Sequence, residues 1–169
     1  MRRRTHLAAG ALCTLPIAID LPWQTAGGVV FLGVAGAVVP DYLDLRSDVR
    51  RILRHRGVSH SVFAGALAVG LVYLILRSLS RLDDQAFRLD IRWIEPLTAA
   101  FAIGLISHLV LDACTPGGIR PVLPLSRRRL WLLPRSLRIT TGSRIDSLIE
   151  RLAMAAIVVV TIVQLMENR

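Results

Sequence analysis

Five apolar stretches, at residues 7–19, 26–39, 62–76, 97–111 and 152–165, set the terms on which this chain can fold. Each is shorter than the roughly 20 residues that cross a hydrocarbon core, yet each can be lengthened into its flanks. Those flanks carry the chain's polar motifs, so lengthening places the motifs at helix ends near a bilayer surface. The content agrees: 53% of residues are hydrophobic and the mean hydropathy is +0.54, above the roughly 45–50% apolar usage of soluble domains. The expected architecture is all-α: a polytopic helical membrane protein of about five short transmembrane or membrane-embedded helices. At 169 residues it forms one integral-membrane domain, residues 1–169.

The formal net charge is +9, and all 21 basic residues are arginine. Apolar runs divide them, leaving no extended basic face for nucleic acid, so anionic lipid headgroups are the expected partner. Cys13 and Cys114 sit in or beside apolar runs without a CxxC spacing, as small buried hydrophobes do in a reducing setting. The start, three arginines before an apolar run, has the outline of a signal peptide. No small-x-small cleavage site precedes a soluble remainder, and the run is read as a retained first helix.

Arginine in short loops marks the cytoplasmic side of a membrane protein. If the N-terminus is inside and all five stretches cross, sixteen of the 21 arginines fall inside: three at the N-terminus, five at positions 46–56 and eight at positions 120–151. The outer segments hold Arg77, Arg81, Arg88 and Arg92, interleaved with acids, and the tail adds Arg169. Residues 115–143 contain four prolines and three glycines, which excludes one continuous helix. They are expected to form a long cytoplasmic loop with a short interfacial element around 130–133.

Under this topology all four histidines, His6, His55, His60 and His108, lie inside with Asp41, Asp44 and Asp112. Ionisable groups at a membrane are costly, so a cluster on one side marks a functional site. In Ser107-His108-Leu109-Val110-Leu111-Asp112, the histidine and the second acid stand four apart and share a helix face. They can bind one metal, or the carboxylate can bridge two; an intrahelical hydrogen bond closing the helix end is the alternative. The Thr115-Pro116-Gly117-Gly118 that follows ends the helix and can aim backbone N–H groups at an anion. In Pro40-Asp41-Tyr42-Leu43-Asp44 the acids are three apart; N-capping is the alternative reading, favoured for Asp44 but not for Asp41. His55-Arg56-Gly57-Val58-Ser59-His60-Ser61 suits metal ligation with a phosphate contact, or else is a solvated basic loop. Thr5-His6 opens the first helix, and only the company of the other motifs raises His6 above a surface residue.

Together these motifs resemble the YdjM family of inner-membrane metal-dependent hydrolases, and the resemblance extends to Thr141-Gly142-Ser143 before the last stretch. One departure is visible: the family's acidic motif often reads Pro-Asp-x-Asp, whereas the second acid here is displaced to Asp44. The order of an early histidine, an aspartate, a histidine and a His-x-x-x-Asp helix is more distantly similar to zinc-dependent phospholipase C and related nucleases. That similarity implies one metal held by Asp41, His55, His108 and Asp112, and a second held by Asp112 and His6. No histidine follows His108, so a third ion is not expected.

The resemblance implies a bacterial or archaeal inner-membrane enzyme with a cytoplasmic N-terminus, using one or two divalent ions, zinc by preference, to hydrolyse a phosphoester of a lipid or lipid-linked substrate. Arg56 would stabilise the developing charge and His60 would be a further ligand or a general acid. The competing expectation is a non-catalytic membrane scaffold or regulator with a structural metal site, whose basic loop docks an acidic partner. A transporter is the weakest reading, because no paired broken helices offer a pathway.

Overall fold

The computed structural model describes residues 1–45, 57–81 and 89–167. Among these residues the chain forms helices α1 (Arg3–Ala18), α2 (Trp23–Gly36), α3 (Val39–Leu45), α4 (Val62–Leu79), α5 (Ile94–Ala113) and α6 (Arg144–Glu167). The only β pairing among them is a single antiparallel bridge between Ile119 and Leu130. Each of the five apolar stretches lies in or largely within one long helix, and the sixth helix, α3, carries the Pro-Asp motif.

The helix boundaries follow from local chemistry. Pro40 stands in the first turn of α3, where a missing N–H costs nothing. Ser61 caps α4 by accepting a hydrogen bond from the Ala64 N–H at 3.2 Å. Asp90 caps the single 3-10 turn that leads into α5. At the other end of α5, the Thr115 hydroxyl donates to the Asp112 carbonyl at 2.8 Å, immediately before Pro116, which the helix could not pass. Ser143 starts α6 by accepting from the Asp146 N–H at 3.2 Å.

Helices α1, α2 and α5 pack around small residues rather than large ones. A Cβ on Gly104 would overlap the Gly33 carbonyl, and one on Gly36 would overlap the Phe101 carbonyl. The α2 and α5 backbones can approach this closely only because both positions are glycine. Val29 and Ala100 are fully buried in the seam beside Ala18 and Leu97. Helix α4 packs on α5, and α6 packs on α1.

Thirty large hydrophobic side chains are exposed among the described residues, against sixteen hydrophobic residues that are buried. Water does not tolerate that balance; lipid does. The exposure concentrates on α4, with Leu67 68% and Leu74 60% exposed, and on α6, with Leu152 60% and Val159 59%. Two segments, Val62–Leu79 and Ile91–Ala113, are long and apolar enough to cross a membrane, and only 6% of the first is buried within the protein. A soluble core helix would show the opposite pattern. Helix α1 has 16 residues, α2 has 14, and α6 carries Asp146, Glu150 and Arg151 in its first two turns. Their contribution to spanning depends on partners and flanks rather than on length and composition alone.

Because α1, α4 and α6 begin, and α2 and α5 end, at the same end of the bundle, the polar motifs meet there. Residues 114–143 cover that end as an ordered loop. The Ile139 N–H donates to the Cys114 carbonyl at 2.9 Å, the Leu132 N–H to the Ala113 carbonyl at 3.1 Å, and the Val62 N–H to the Pro121 carbonyl at 2.8 Å. The short element expected around 130–133 is the Leu130 half of the β bridge, and the loop's 3-10 turn lies later, at Arg135–Leu137.

Candidate metal centre

His108, buried in the last turns of α5, has its orientation set by α2: its Nδ1 lies 2.7 Å from the Ala37 carbonyl oxygen. A carbonyl only accepts, so Nδ1 carries the proton and Nε2 presents a bare lone pair. His60 is set in the same sense by a different route. The Ser59 hydroxyl donates its single proton to the Asp44 carboxylate, so at 3.0 Å from His60 Nδ1 the Ser59 oxygen is the acceptor. Asp44 Oδ2 stands 3.4 Å from the same nitrogen. His60 Nε2 is therefore also a lone pair, and it faces His108 Nε2 at 3.1 Å.

Two carboxylates close on this histidine pair. Asp112 Oδ2 lies 3.5 Å from His60 Nε2 and 3.8 Å from His108 Nε2. Asp41 Oδ1 lies 3.6 Å and 3.7 Å from the same two atoms. Four acceptors thus converge, an arrangement that is repulsive without a cation among them. An ion bound tetrahedrally at roughly 2.0–2.1 Å sets neighbouring donors about 3.3–3.4 Å apart, close to the separations here. The donor set fits a divalent metal such as zinc, and each histidine has the hydrogen-bonded second nitrogen that metal-binding imidazoles require.

His6, from the second turn of α1, stacks on His108 with ring centroids 4.0 Å apart. Its Nε2 lies 3.4 Å from Asp112 Oδ1, on the side of that carboxylate turned away from His60 and His108. Its Nδ1 is buried with no hydrogen-bond partner among the described residues. The ligand-type atoms form two overlapping groups, His6 with Asp41 and His108, and His60 with His108 and Asp112, each within 4.8 Å. The amino group of Met1 also donates to Asp112 Oδ1 at 3.1 Å.

Of the sequence-derived ligands, the fold brings His6, Asp41, His108 and Asp112 together with His60. His55 and Arg56 lie outside the described residues. The intrahelical reading of His108 and Asp112 is insufficient, since Asp112 meets His6 and His60 as closely as it meets its own helix neighbour. The Thr115 and Gly118 N–H groups, expected to face an anion, close the turn by donating to the Asp112 and Thr115 carbonyls. Asp44, read more readily as a cap, instead supports His60 from behind. Asp146 lies outside the sequence motifs that point to the cluster; the pattern Ser143-x-x-Asp146 after Gly142, a capping-box outline, is its one local signal. It is fully buried and accepts from the Thr5 hydroxyl at 2.7 Å, the Gly142 N–H at 2.7 Å and the Arg2 N–H at 3.2 Å. That network locks the start of α1, and with it His6, onto the start of α6.

His6, His60, His108 and Asp112 are all at most 2% exposed, whereas Asp41 is half-buried. Asp41 is thus the one side chain of the five that reaches solvent.

Residues 1–168 match the model of the YdjM inner membrane protein family. The chain belongs to that family. No curated protein and no solved structure matches it. For this member of the YdjM family, the match spans every element that contributes to the histidine and aspartate cluster, from Met1 just before the first helix and His6 within it to Asp146 in the last.

Proposed function

We propose that this protein is a membrane-embedded, metal-dependent hydrolase that cleaves a phosphoester of a lipid or lipid-linked substrate at the cytoplasmic membrane surface. The observation that carries the metal is the apposition of His60 and His108 by their unprotonated Nε2 atoms, flanked by Asp41 and Asp112. The observation that favours a lipid substrate is the placement of this cluster at the end of helices whose outer faces suit only hydrocarbon.

His60, His108, Asp41 and Asp112 would hold one divalent ion, and Asp112 would extend its other oxygen with His6 toward a second. A bound ion supplies Lewis acidity toward phosphoryl oxygens and lowers the pKa of water at neutral pH. The protein's own residues do the rest. Ser59 and Asp44 fix the His60 ring, and Ala37 fixes the His108 ring, so both lone pairs are aimed before anything binds. Asp41 forms the open edge, the direction from which substrate reaches the cluster. His60 is assigned here as a ligand in preference to a general acid, since its Nε2 is committed to the histidine pair. Arg56 is retained as the phosphate contact on its sequence position next to His55.

A second reading rests on a specific observation, the near-complete burial of four of the five side chains. Structural metal sites are closed, and catalytic ones keep a position open. Metal analysis of detergent-purified protein, joined to a screen of phospholipid, polyprenyl-phosphate and simple phosphoester substrates, separates the readings. The enzyme reading requires bound metal and turnover that both vanish in His108→Ala and Asp112→Ala. Metal retained with no turnover on any substrate class supports the scaffold, and absence of metal from protein prepared without chelators overturns both.

A further inference from the structure

The loop between α5 and α6 combines arginine charge that is unpaired among the described residues with exposed leucines. Seven arginines, at positions 120, 127, 128, 129, 135, 138 and 144, occur between Asp112 and Asp146 with no acidic residue among them. Arg138 stacks over Trp131 at 4.5 Å, whereas Arg127, Arg128, Arg129 and Arg135 are exposed and form no ion pair among the described residues. Beside them Leu125 is 77%, Leu132 52% and Leu137 63% exposed. This is a shaped surface: the Ile119–Leu130 bridge and the Trp131 indole N–H, donating to the Pro116 carbonyl at 3.1 Å, hold it against the end of α5.

Arginine heads beside exposed leucines suit an interface in which aliphatic side chains enter the acyl boundary while guanidinium groups meet phosphate above it. The loop covers the end of the bundle where the two apolar span candidates begin or finish, so it lies at the level of a headgroup layer. We propose that residues 120–138 form a docking surface for anionic phospholipid headgroups, which gathers them around the mouth of the histidine and aspartate cluster. RNA would match the charge but would leave the three leucines in water, whereas a lipid surface meets arginines and leucines together at the end of the bundle where this loop lies. The inference stands apart from hydrolysis, since headgroup selection requires no bond to break.

The test uses the full-length protein in nanodiscs. Trp23 and Trp93 stand at the far ends of α2 and α5, so Trp23→Phe with Trp93→Phe leaves Trp131 as the reporter in the loop. One set of discs carries acyl-brominated phosphatidylglycerol in ordinary phosphatidylcholine, and the other carries the reverse label at the same composition. The surface predicts at least two-fold stronger quenching of Trp131 by the brominated anionic lipid. That preference falls in 1 M salt, where charge attraction is screened. It also falls in the triple variant Arg127→Gln, Arg128→Gln and Arg129→Gln. A reporter retaining only Trp93 should show no preference. Equal quenching by the two labels in wild-type loop sequence overturns the proposal and leaves an acidic macromolecule as the occupant of this face.

Discussion

The Nε2 atoms of His60 and His108, 48 residues apart in sequence, face each other at 3.1 Å with the opposite nitrogen of each ring already engaged by protein. Two lone pairs held at that distance store repulsion that a cation relieves, so the folded protein should be more stable with metal than without. Chelation is expected to lower the melting temperature of the detergent-purified protein, by the equivalent of about 2.7 kcal/mol when free metal had been present at a hundred times its Kd. His108→Ala should melt identically with and without chelator. A wild-type melting curve indifferent to chelator would remove the metal from this centre.

Asp44 meets His60 at Nδ1, on the side of the ring away from His108. Asp44→Asn should leave the fold intact and weaken metal affinity by roughly 10–100-fold, as loss of an outer carboxylate typically does. Competition with a fluorescent chelator measures this directly. An unchanged affinity would return Asp44 to the capping role that its sequence position suggests.

Asp146 offers a pH signature. Burial by itself would raise its pKa, but the Gly142 N–H, the Thr5 hydroxyl, the Arg2 N–H and the Met1 amino charge together hold the carboxyl below its ordinary 3.8. A depressed folded pKa means the stabilisation is complete above the unfolded value and is lost as pH falls through the folded one. Thermal melts should therefore show an acid-side loss of stability below about pH 3.8 that is blunted in Asp146→Asn. At neutral pH the variant should be destabilised by about 1–3 kcal/mol, the range for a buried hydrogen-bonding group left short of its partners. If Asp146→Asn melts like wild type across the range, the network does not tie α1 to α6.

Two glycines with opposite surroundings test the packing. Gly104→Ala places a methyl group into the Gly33 carbonyl and should cost about 1–3 kcal/mol. Gly70→Ala, on α4 with nothing within 4 Å, should be neutral or stabilising by roughly 0.5–1 kcal/mol through helix propensity. Equal responses in unfolding experiments would show that α2 and α5 do not meet as closely as described.

A charge on the outer face of α4 tests the membrane. Leu71 lies near the middle of α4 and is 51% exposed. Leu71→Arg should disfavour insertion by about 2.5–3.5 kcal/mol, visible as a loss of the membrane-fraction protein in a glycosylation-mapping or fractionation assay. The same change at exposed Leu125 in the loop should have little effect on insertion.

The helices were legible from sequence because hydrophobic runs and breakers act locally. Stretches 62–76 and 97–111 report α4 and α5 directly, and Pro40, Ser61 and Pro116 mark their own boundaries through capping and lost N–H groups. His108 and Asp112 share a face by helical spacing alone, and the one-sided distribution of the motifs already implied convergence. What sequence could not decide was which atoms meet. The role of Asp44 depends on a serine fifteen residues away and that of Asp146 on Thr5 141 residues away. His108 has its tautomer chosen by the carbonyl of Ala37, a residue whose side chain carries no chemical signal. Those relationships arise where the start of α1, the end of α2, the start of α4 and the end of α5 are pressed together by glycine contacts. Local periodicity carries the element, but the direction of a lone pair is a property of tertiary packing.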